Sequence, residues 1–518
     1  MYKLLLCWRY LRTRYIALVC IVSVMLGVAT MIVVNSVMAG FTHEMQNRLN
    51  GMLGDLIVRT RSLDGEFDAD AQMAKIRAVA GDSIVGMSPT VHVPALMCLT
   101  VGGQLMPRQV TLVGIDEATY ASVSEFGDYL QHPANREQLR FDLREGGYDV
   151  VDHQVEDAAD AKPREVMRQA GWGYRRYKAM LSKERREQEE RLKAASPEAA
   201  PADGGATEPQ MVDPFAATAE ANGEPQGRDF DPGAEQHTGV VLGIGIAGYR
   251  MPDGSDHFLG LPGDDVKVSM LQSVTPPQIT SVQYTVVDFY ESKMSEYDAN
   301  FAFVPLRSLQ EDRGMIDPTT GIAKFTSIQI KLKPGADAAA IRDKIQDVFP
   351  AQIYQVSTWR DEQGPLLAAV QMETAVLNVL LFMIIAVAGF GIFAIFLMIV
   401  VEKTRDIGIL KSLGASGWGV MGIFLTYGLS LGIVGAGVGT GIGLLFVTNI
   451  NEIADLLGWL TGQPVFDPSV YYFYKIPTIV EPLTVFLIVL GSVVIAVGAS
   501  VVPAIRAASL HPVKALRF

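Results

Sequence analysis

The chain has 518 residues, of which 49% are hydrophobic and 19% are charged, and its formal net charge is −13. This length suffices for a membrane unit together with one or two globular domains. The acidic balance argues against nucleic acid as a partner, because a phosphate backbone attracts basic surfaces.

Four long apolar segments predict transmembrane helices, since a bilayer core about 30 Å thick requires roughly 20 consecutive apolar residues in a helix. These segments are residues 15–41, 375–401, 418–447 and 483–502. Each contains almost no charge, which disfavours a buried helix of a soluble core. The first segment is too long for the apolar part of a signal peptide, and we interpret Cys20 within it as an ordinary intramembrane residue.

The basic residues near the ends of these segments predict their orientation, because cytoplasmic loops are enriched in Lys and Arg. They precede the first segment, lie between the second and third, and follow the fourth: Lys3, Arg9, Arg12, Arg14, Lys403, Arg405, Lys411, Arg506, Lys514 and Arg517. Both termini and the loop 402–417 are therefore expected in the cytoplasm. Residues 42–374 and 448–482 are expected outside.

The cysteines and histidines predict neither a disulfide nor a metal site. This topology places Cys7 in the cytoplasm, Cys20 in the membrane and Cys98 outside, so no two of them can meet. The seven histidines show no ligand spacing.

The large region between the first two segments is expected to be a mixed α/β domain. Its predicted strands share β-branched content and alternation, and they are residues 56–61, 91–101, 110–115, 282–288, 301–304 and 326–332. An amphipathic helix is expected over residues 337–348, with Asp337 as its N-cap. Residues 42–53 and 365–374 continue a helical pattern beyond the apolar segments, which predicts stalks that link the membrane to this domain.

Residues 150–237 interrupt the α/β pattern, and we interpret them as an insertion. Residues 164–195 predict a charged helix, whose basic side chains form either a solvated face or a contact with anionic lipid headgroups. Residues 196–236 are rich in Ala, Pro, Glu and Gly. They predict a disordered linker, because they cannot bury enough apolar surface to fold.

Two glycine patterns predict close packing. Gly243, Gly245 and Gly248 match the spacing of a dinucleotide-binding turn, but the rest of a βαβ unit is missing, so we interpret them as turn and packing positions. The third apolar segment has a glycine at nearly every fourth position: Gly428, Gly432, Gly435, Gly439 and Gly443. This spacing predicts close contact with another helix, either within the subunit or at a subunit interface.

The loop 402–417 is long enough for a short helix, with Ile407, Leu410 and Leu413 predicted on one side. Its charges are Glu402, Lys403, Arg405, Asp406 and Lys411. The loop is interpreted either as a simple topological anchor or as a helix that docks onto a cytoplasmic partner. The sequence contains no GxxxxGK[ST] phosphate loop, so work driven by ATP would require a separate ATPase. Since no Ser/His/Asp or Cys/His arrangement stands out either, no catalytic residue is expected and the chain is not expected to be an enzyme.

At this loop the sequence resembles a known family. Residues 402–416 resemble the "EK.RDI.IL...GAS" motif of the MacB/FtsX-type ABC permease superfamily, and residues 503–517 resemble its "PA.RAA...P..ALR" ending. Four further segments resemble the lipoprotein-releasing LolC/LolE branch: VVLG at 240–243, YD at 297–298 followed by FAFVP at 301–305, TWR at 358–360, and residues 467–477. The resemblance fails over residues 150–237.

This resemblance implies a multi-pass inner-membrane permease with four transmembrane helices and a periplasmic α/β domain between helices 1 and 2. Such permeases form homo- or heterodimers and work by mechanotransmission with two copies of an ABC ATPase subunit. ATP is bound by that partner, and no other cofactor is implied. The implied function is extraction of lipoproteins from the inner membrane and their transfer to a periplasmic carrier. The alternatives are a MacB-like export permease for small molecules or peptides, and an FtsX-like non-transporting relay that controls a cell-wall hydrolase.

The resemblance also implies the division of the chain and the roles of two loops. The divisions are the N-terminus, helix 1 and stalk (1–53), the periplasmic domain (54–364), a stalk with helix 2 (365–401), a coupling helix (402–417), helix 3 (418–447), a periplasmic loop (448–482), helix 4 (483–502) and a cytoplasmic tail (503–518). The residues implied to couple to the ATPase are Glu402, Lys403, Arg405, Asp406, Ile407 and Leu410. The loop at 271–281 matches the position of a carrier-binding loop in LolC-type members, with Thr275, Pro276, Pro277 and Gln278 at its centre, or is an ordinary surface turn.

Overall fold

The computed structural model describes residues 15–52, 54–62, 64–101, 104–152, 163–195, 230–251, 255–274, 276–292, 294–461 and 475–511. The chain forms two compact units. The helical unit comprises Met1–Met45, Pro365–Phe466 and Lys475–Phe518, and the α/β unit comprises Gln46–Gly364 and Asp467–Tyr474. Several predictions concern residues outside the described ranges, namely residues 196–229 of the linker, Thr275 and residues 462–474 of the last outer loop.

The described elements are labelled in chain order. The helices are α1 Tyr15–Met52, α2 Ala69–Ala80, α3 Pro133–Glu137, α4 Trp172–Ala195, α5 Ile244–Ala247, α6 Ser295–Asn300, α7 Leu306–Asp312, α8 Ala338–Val348, α9 Trp359–Glu362, α10 Gly364–Glu402, α11 Thr404–Ser412, α12 Gly417–Thr448, α13 Ile450–Thr461 and α14 Pro482–Ser509. The strands are β1 Leu56–Thr60, β2 Glu66–Phe67, β3 Ile84–Val101, β4 Gln104–Ile115, β5 Thr238–Gly243, β6 Gly248–Arg250, β7 Asp256–Phe258, β8 Asp265–Leu271, β9 Ile279–Tyr290, β10 Phe301–Pro305, β11 Lys324–Phe325, β12 Ser327–Leu332 and β13 Tyr354–Thr358.

Four of the described helices, α1, α10, α12 and α14, are long and apolar enough to cross a membrane. At 1.5 Å per residue, the 38 residues of α1 and the 39 of α10 each span roughly 57 Å, well beyond an apolar core of about 30 Å. The helix α1 continues to Met52, and α10 already begins at Gly364. Both therefore include the segments that the sequence assigns to stalks.

The helical unit packs around an apolar core to which all four of these helices contribute. The fully buried side chains of this core include Val28, Ile32, Ile392, Phe396, Leu431 and Ala496. The ring of Phe396 meets that of Tyr427 edge-on, with the ring centroids 5.3 Å apart.

The α/β unit contains a nine-stranded sheet in the order β13-β1-β12-β3-β4-β10-β5-β9-β8. A further pairing of β3 with β8 closes the six strands from β3 to β8 into a ring. The long strand β3 makes this possible, because residues 84–90 pair with β12 whereas Ala95 to Cys98 pair with β8. Closure removes the exposed edge that β8 would otherwise present.

Two apolar cores lie on this sheet. Residues of the closed ring, such as Val91, Leu112 and Val286, fill one core. The other lies under α2 and α8 and includes Ile76 and Ile345. The predicted N-cap of α8 is confirmed, since the Asp337 carboxylate accepts hydrogen bonds from the backbone N–H groups of residues 339 and 340 at 3.0 and 3.2 Å.

All six predicted strands are present, but β3 and β4 are longer than predicted. The strand β4 begins at Gln104, ahead of the predicted residue 110, because its first half forms a hairpin with β3. This first half contains Pro107 and mostly exposed side chains. Its sequence therefore lacks the alternation by which a half-buried strand is recognised.

Both ends of the segment interpreted as an insertion, residues 150–237, pack into the α/β unit. The Gln236 side chain accepts from the Leu143 N–H at 2.7 Å and donates to the Phe141 carbonyl at 3.0 Å. The predicted helix over 164–195 begins only at Trp172. Gly171, just before this helix, has a φ of +104° in the left-handed region. It separates the helix from the short 3-10 turn at Glu165–Gln169.

A buried ion network lies at the start of this segment, for whose basic side chains the sequence leaves open a solvated face or a contact with anionic lipid. The guanidinium of Arg164 contacts Glu291 at 2.7 Å, Asp152 at 3.0 Å and Asp256 at 2.6 Å. Arg250 also contacts Asp152. Burial by itself lowers the pKa of Arg164, but the surrounding carboxylates raise it above its ordinary value. The partners lie up to 127 residues away in the chain, so local charge patterning does not reveal them.

A second buried charge lies on β9. The Asp288 carboxylate accepts hydrogen bonds from Asn135 Nδ2 at 2.7 Å, from its neighbour Phe289 N at 2.8 Å and from His132 N at 3.3 Å. Burial raises the pKa of Asp288 to about 7, and these hydrogen bonds only partly oppose that effect.

Candidate functional site

The loop between α10 and α12 forms a short helix, α11. The helix α10 ends at Glu402, and only Lys403 separates it from the first residue of α11, Thr404. Gly414, with φ +98°, follows α11 in the left-handed conformation that commonly ends helices. Ser416 then caps α12 by accepting a hydrogen bond from the Gly419 N–H at 3.1 Å.

The inner side of α11 is fixed to three membrane helices. Ile407 is buried in an apolar cluster with Val400 of α10, Val420 of α12 and Ala507 of α14. Lys411 Nζ donates to backbone carbonyl oxygens at the end of α14. The helix α11 is therefore part of the helical unit rather than a mobile connection. Ile407, one of the predicted coupling residues, contacts its own chain.

The outer side of α11 carries both charge and apolar surface. Arg405 is exposed, and Lys403 pairs with Asp406 at 2.8 Å. Leu410 is 39% exposed and Leu413 is 80% exposed. The sequence predicts Ile407, Leu410 and Leu413 on one side, but positions three apart are offset by about 60° around a helix. Leu410 and Leu413 therefore lie at successively larger angles from the buried side of Ile407 and face solvent.

Trp418, at the start of α12, extends this outer surface and is 80% exposed. We call Arg405, Asp406, Leu410, Leu413 and Trp418 the outer face of the loop. The sequence interpretation assigns Trp418 only to the third membrane helix. A signal for a surface role was nevertheless present, because Trp at the end of an apolar segment is typical of a membrane–water boundary.

The predicted glycines of α12 face two neighbouring helices of the same chain. A Cβ on Gly428 or Gly432 would meet Ser500 or Ala496 of α14 at 2.6 and 3.1 Å. A Cβ on the remaining three, Gly435, Gly439 and Gly443, would meet α1 at 2.9, 2.7 and 3.2 Å. A Cβ on the intervening Gly437 or Gly441 would meet nothing within 4 Å. The regular spacing thus corresponds to packing within one subunit.

The glycines at 243, 245 and 248 are confirmed as packing positions. A Cβ on Gly243 would lie 2.1 Å from the Asp298 carbonyl oxygen, and one on Gly248 would lie 2.7 Å from the His257 carbonyl oxygen. The helix that follows Gly243 is only four residues long, too short to form the phosphate-binding end of a dinucleotide site.

The candidate carrier-binding loop is the tip of a hairpin between β8 and β9. The Gln272 N–H donates to the Gln278 carbonyl at 2.8 Å and closes the base of the loop. The Ser273 N–H donates to the Arg313 carbonyl at 2.8 Å and fixes the loop to the rest of the unit. Pro276, Pro277 and Gln278 are exposed. The hairpin thus presents a short exposed tip on a rigid base.

Two family models match the chain. Residues 378–512 match the FtsX-like permease C-terminal domain, and residues 143–348 match the MacB-like periplasmic core domain. The first match includes α11 and the helices to which it is fixed, and the second includes the hairpin loop.

Matches to individual proteins are consistent with these two domain matches. The chain is 31% identical over 259 residues to the lipoprotein-releasing system transmembrane protein LolC of Xylella fastidiosa (strain 9a5c), which covers 49% of this chain and 61% of that protein. It is 25% identical over 285 residues to LolE of Haemophilus influenzae, which covers 54% of this chain and 65% of that protein. It is 24% identical over 225 residues to a macrolide export protein, MacB, of Bdellovibrio bacteriovorus, covering 40% of this chain and 32% of that protein.

The resemblance to LolC/LolE-type permeases of the MacB/FtsX superfamily is confirmed. The chain spans about three fifths of the length of the LolC relatives that it matches. As in a MacB/FtsX-type permease, apolar membrane helices and a mixed α/β domain occur in one chain.

Proposed function

We propose that this chain is the permease subunit of an ABC transporter that extracts lipoproteins from the inner membrane and passes them to a periplasmic carrier. ATP would be hydrolysed by a separate ATPase subunit, present in two copies, and a second permease subunit would complete the complex. The observation that carries the proposal is the fixed position of α11, which presents the outer face of the loop while its inner side is bound to three membrane helices.

The energetics of lipoprotein release favour such a mechanical device. Withdrawing an acyl chain from a bilayer costs about 0.8 kcal/mol per CH₂ group, so a lipoprotein with several chains requires an energy source. A displacement of α11 would act directly on α10, which continues as one helix from Glu402 to Gly364. The energy of ATP hydrolysis would thereby pass along α10 to Gly364, where the chain enters the α/β unit.

The topology that we propose has four membrane spans and both termini in the cytoplasm. It rests on the distribution of basic residues around the four apolar helices. The α/β unit would then lie in the periplasm between helices 1 and 2. Single cysteines at exposed Glu187 and Glu452 should react with an impermeant thiol reagent from outside, and one at Ser412 only after the membrane is opened. Labelling of position 187 from the cytoplasmic side would overturn this orientation.

We propose the exposed tip of the β8–β9 hairpin as the contact for the carrier. Its closed base favours a rigid, preformed contact. A photo-cross-linker at Gln278 should capture the carrier, whereas one at exposed Thr319, on another loop of the same unit, should not. Equal capture from both positions would identify the hairpin as an ordinary turn.

Export of small molecules or peptides is the alternative, supported by the similarity to MacB. The two functions differ in what accumulates when the complex fails. Loss of a lipoprotein transporter leaves acylated proteins in the inner membrane, whereas loss of an exporter raises the concentration of a soluble compound inside the cell.

The outer face of the loop supplies the decisive test. The double variant Arg405→Glu, Asp406→Lys reverses two exposed charges without touching buried Ile407. We expect it to weaken recruitment of the ATPase or to uncouple ATP hydrolysis from lipoprotein release, while the permease still inserts and dimerises. The control is Arg185→Glu on the exposed surface of α4, which should behave like the native chain. Normal release by the double variant would leave the loop as a topological anchor.

A further inference from the structure

The helix α13 follows a membrane helix directly and exposes an apolar side. Only Asn449 separates the end of α12 from Ile450, the first residue of α13. Leu456 is 62% exposed and Leu460 is 76% exposed. Trp459 beside them is 80% exposed. An apolar cluster of this size on a surface requires an occupant that removes it from water.

The arrangement of α13 is that of an amphipathic helix. At 100° per residue, its apolar positions at 453, 456, 457 and 460 fall within an arc of about 100°. Both of its acidic residues, Glu452 and Asp455, lie outside this arc and are exposed. Trp459 lies between the two acidic residues, on their side of the helix. The helix therefore has one side suited to hydrocarbon and one suited to water.

The position of α13 in the chain indicates what covers its apolar side. The last turns of α12 expose Ile442 and Leu445, which belong to an apolar span long enough to cross a bilayer. A helix that begins one residue beyond such a span lies at the level of the membrane surface. Trp is itself typical of that level, because its ring is apolar and its N–H is polar.

We propose that α13 lies in the plane of the membrane surface, with Leu456, Leu457 and Leu460 among the lipid acyl chains and Glu452 and Asp455 towards water. With no Lys or Arg in α13, attachment depends on apolar area and not on attraction to anionic lipid. Under the orientation proposed above, this is the outer leaflet of the inner membrane. The lipid contact itself requires only that α12 spans the bilayer.

Two hydrogen bonds from the segment 476–479 connect α13 with the long helix α1. The Asn451 side-chain oxygen accepts from the Ile476 N–H at 2.7 Å, and the Ile479 N–H donates to the Ser36 carbonyl at 2.9 Å. Between these contacts, Pro477 lies close to Gly40 of α1. A Cβ added to Gly40 would lie 2.3 Å from the Pro477 carbonyl oxygen. These contacts join α13 to α1 within the helical unit.

Site-directed spin labelling in nanodiscs tests the lipid contact. Cys7, Cys20 and Cys98 are replaced by Ala in the full chain, and single cysteines at Leu456 and Leu460 are labelled. Matched controls at Glu452 and Asp455 lie on the same helix. In nanodiscs of pure phosphatidylcholine, we expect the two leucine positions to collide with oxygen several-fold more than with a water-soluble nickel chelate. The two acidic positions should show the reverse.

Two outcomes would overturn the inference. Preferential collision with the nickel chelate at Leu456 and Leu460 would place this side in water. Low accessibility to both reagents would place it against protein, such as a second copy of the chain. If the cysteine-free chain does not fold, quenching by brominated phosphatidylcholine is compared between Leu460→Trp and Glu452→Trp, each made in the native chain. An added quenched component no larger for Leu460→Trp than for Glu452→Trp would exclude contact of the leucine side with lipid. Neither measurement involves ATPase or transport, so each can fail independently of the proposed function.

Discussion

Lys411 of α11 lies with its Nζ atom 2.5 Å from the carbonyl oxygen of Ala508 and 2.7 Å from that of Leu510. Ala508 is the last residue but one of α14, and Leu510 directly follows the helix. Carbonyl groups at the end of a helix lack intrahelical partners. The charged donor thus satisfies a helix end and joins α11 to the fourth membrane helix.

Removal of this connection should impair coupling. Lys411→Met keeps the length of the side chain but cannot donate, so α11 would remain fixed to α14 only through the cluster around Ile407. We expect lipoprotein release per ATP hydrolysed to fall several-fold in the reconstituted complex, with ATPase recruitment retained. Lys411→Arg, which still donates to both carbonyls, should retain most coupling. Equal coupling in the Met and Arg variants would show that the contact has no role in transmission.

The glycines of α12 permit a comparison within one helix. Gly439→Ala places a Cβ 2.7 Å from a backbone oxygen of Met25, so α1 and α12 must separate. Gly441→Ala meets nothing within 4 Å. The first variant should lower the melting temperature in detergent by several degrees, and the second should leave it unchanged. If Gly441→Ala instead reduces permease dimerisation, its open side belongs to a subunit interface.

The ion network of Arg164 should be essential to the α/β unit. Arg164→Met leaves the fully buried Glu291 without its cation, a change that typically costs about 3–5 kcal/mol. Arg168→Met is the control, because Arg168 forms an exposed pair with Glu165 that is worth about 1 kcal/mol or less. Chemical denaturation of the purified chain should separate the two variants clearly. Similar unfolding midpoints would contradict a structural role for the network.

Stability of the α/β unit should decrease as the pH rises towards neutrality, on account of Asp288. Its pKa is raised by burial to about 7, so the folded state binds a proton that the unfolded chain loses near pH 4. The stabilisation that this proton provides is fully present below pH 4 and is lost as the pH rises through about 7. Over that range the free energy of unfolding falls by up to roughly 1.4 kcal/mol per pH unit.

Melting temperatures between pH 5 and pH 8 check this prediction. Asp288→Asn cannot ionise and should show a smaller fall across this range than the native chain. Asp317→Asn is the control. Hydrogen bonds from Thr319 hold the pKa of Asp317 at about 2, so it stays ionised throughout the range. A fall of the same size in the native chain and in Asp288→Asn would assign the pH dependence to another group.

The sequence alone determined the apolar helices, the six strands that it predicts and the cap of α8 at Asp337. These features depend on local composition and period, which a single sequence displays directly. It also determined the short helix between Glu402 and Gly417, because charged residues between two apolar segments, followed by glycine, form a local signal.

Only the tertiary structure decided which residues of that helix face outwards. Ile407 is buried because α10, α12 and α14 converge on it, whereas Leu413, two turns further on, has no such neighbours and is exposed. The same holds for Arg164, whose charge appears solvated in the sequence but is neutralised by carboxylates from distant β-strands and loops. Burial and ion pairing depend on contacts between residues far apart in the chain, and a local pattern contains no information about them.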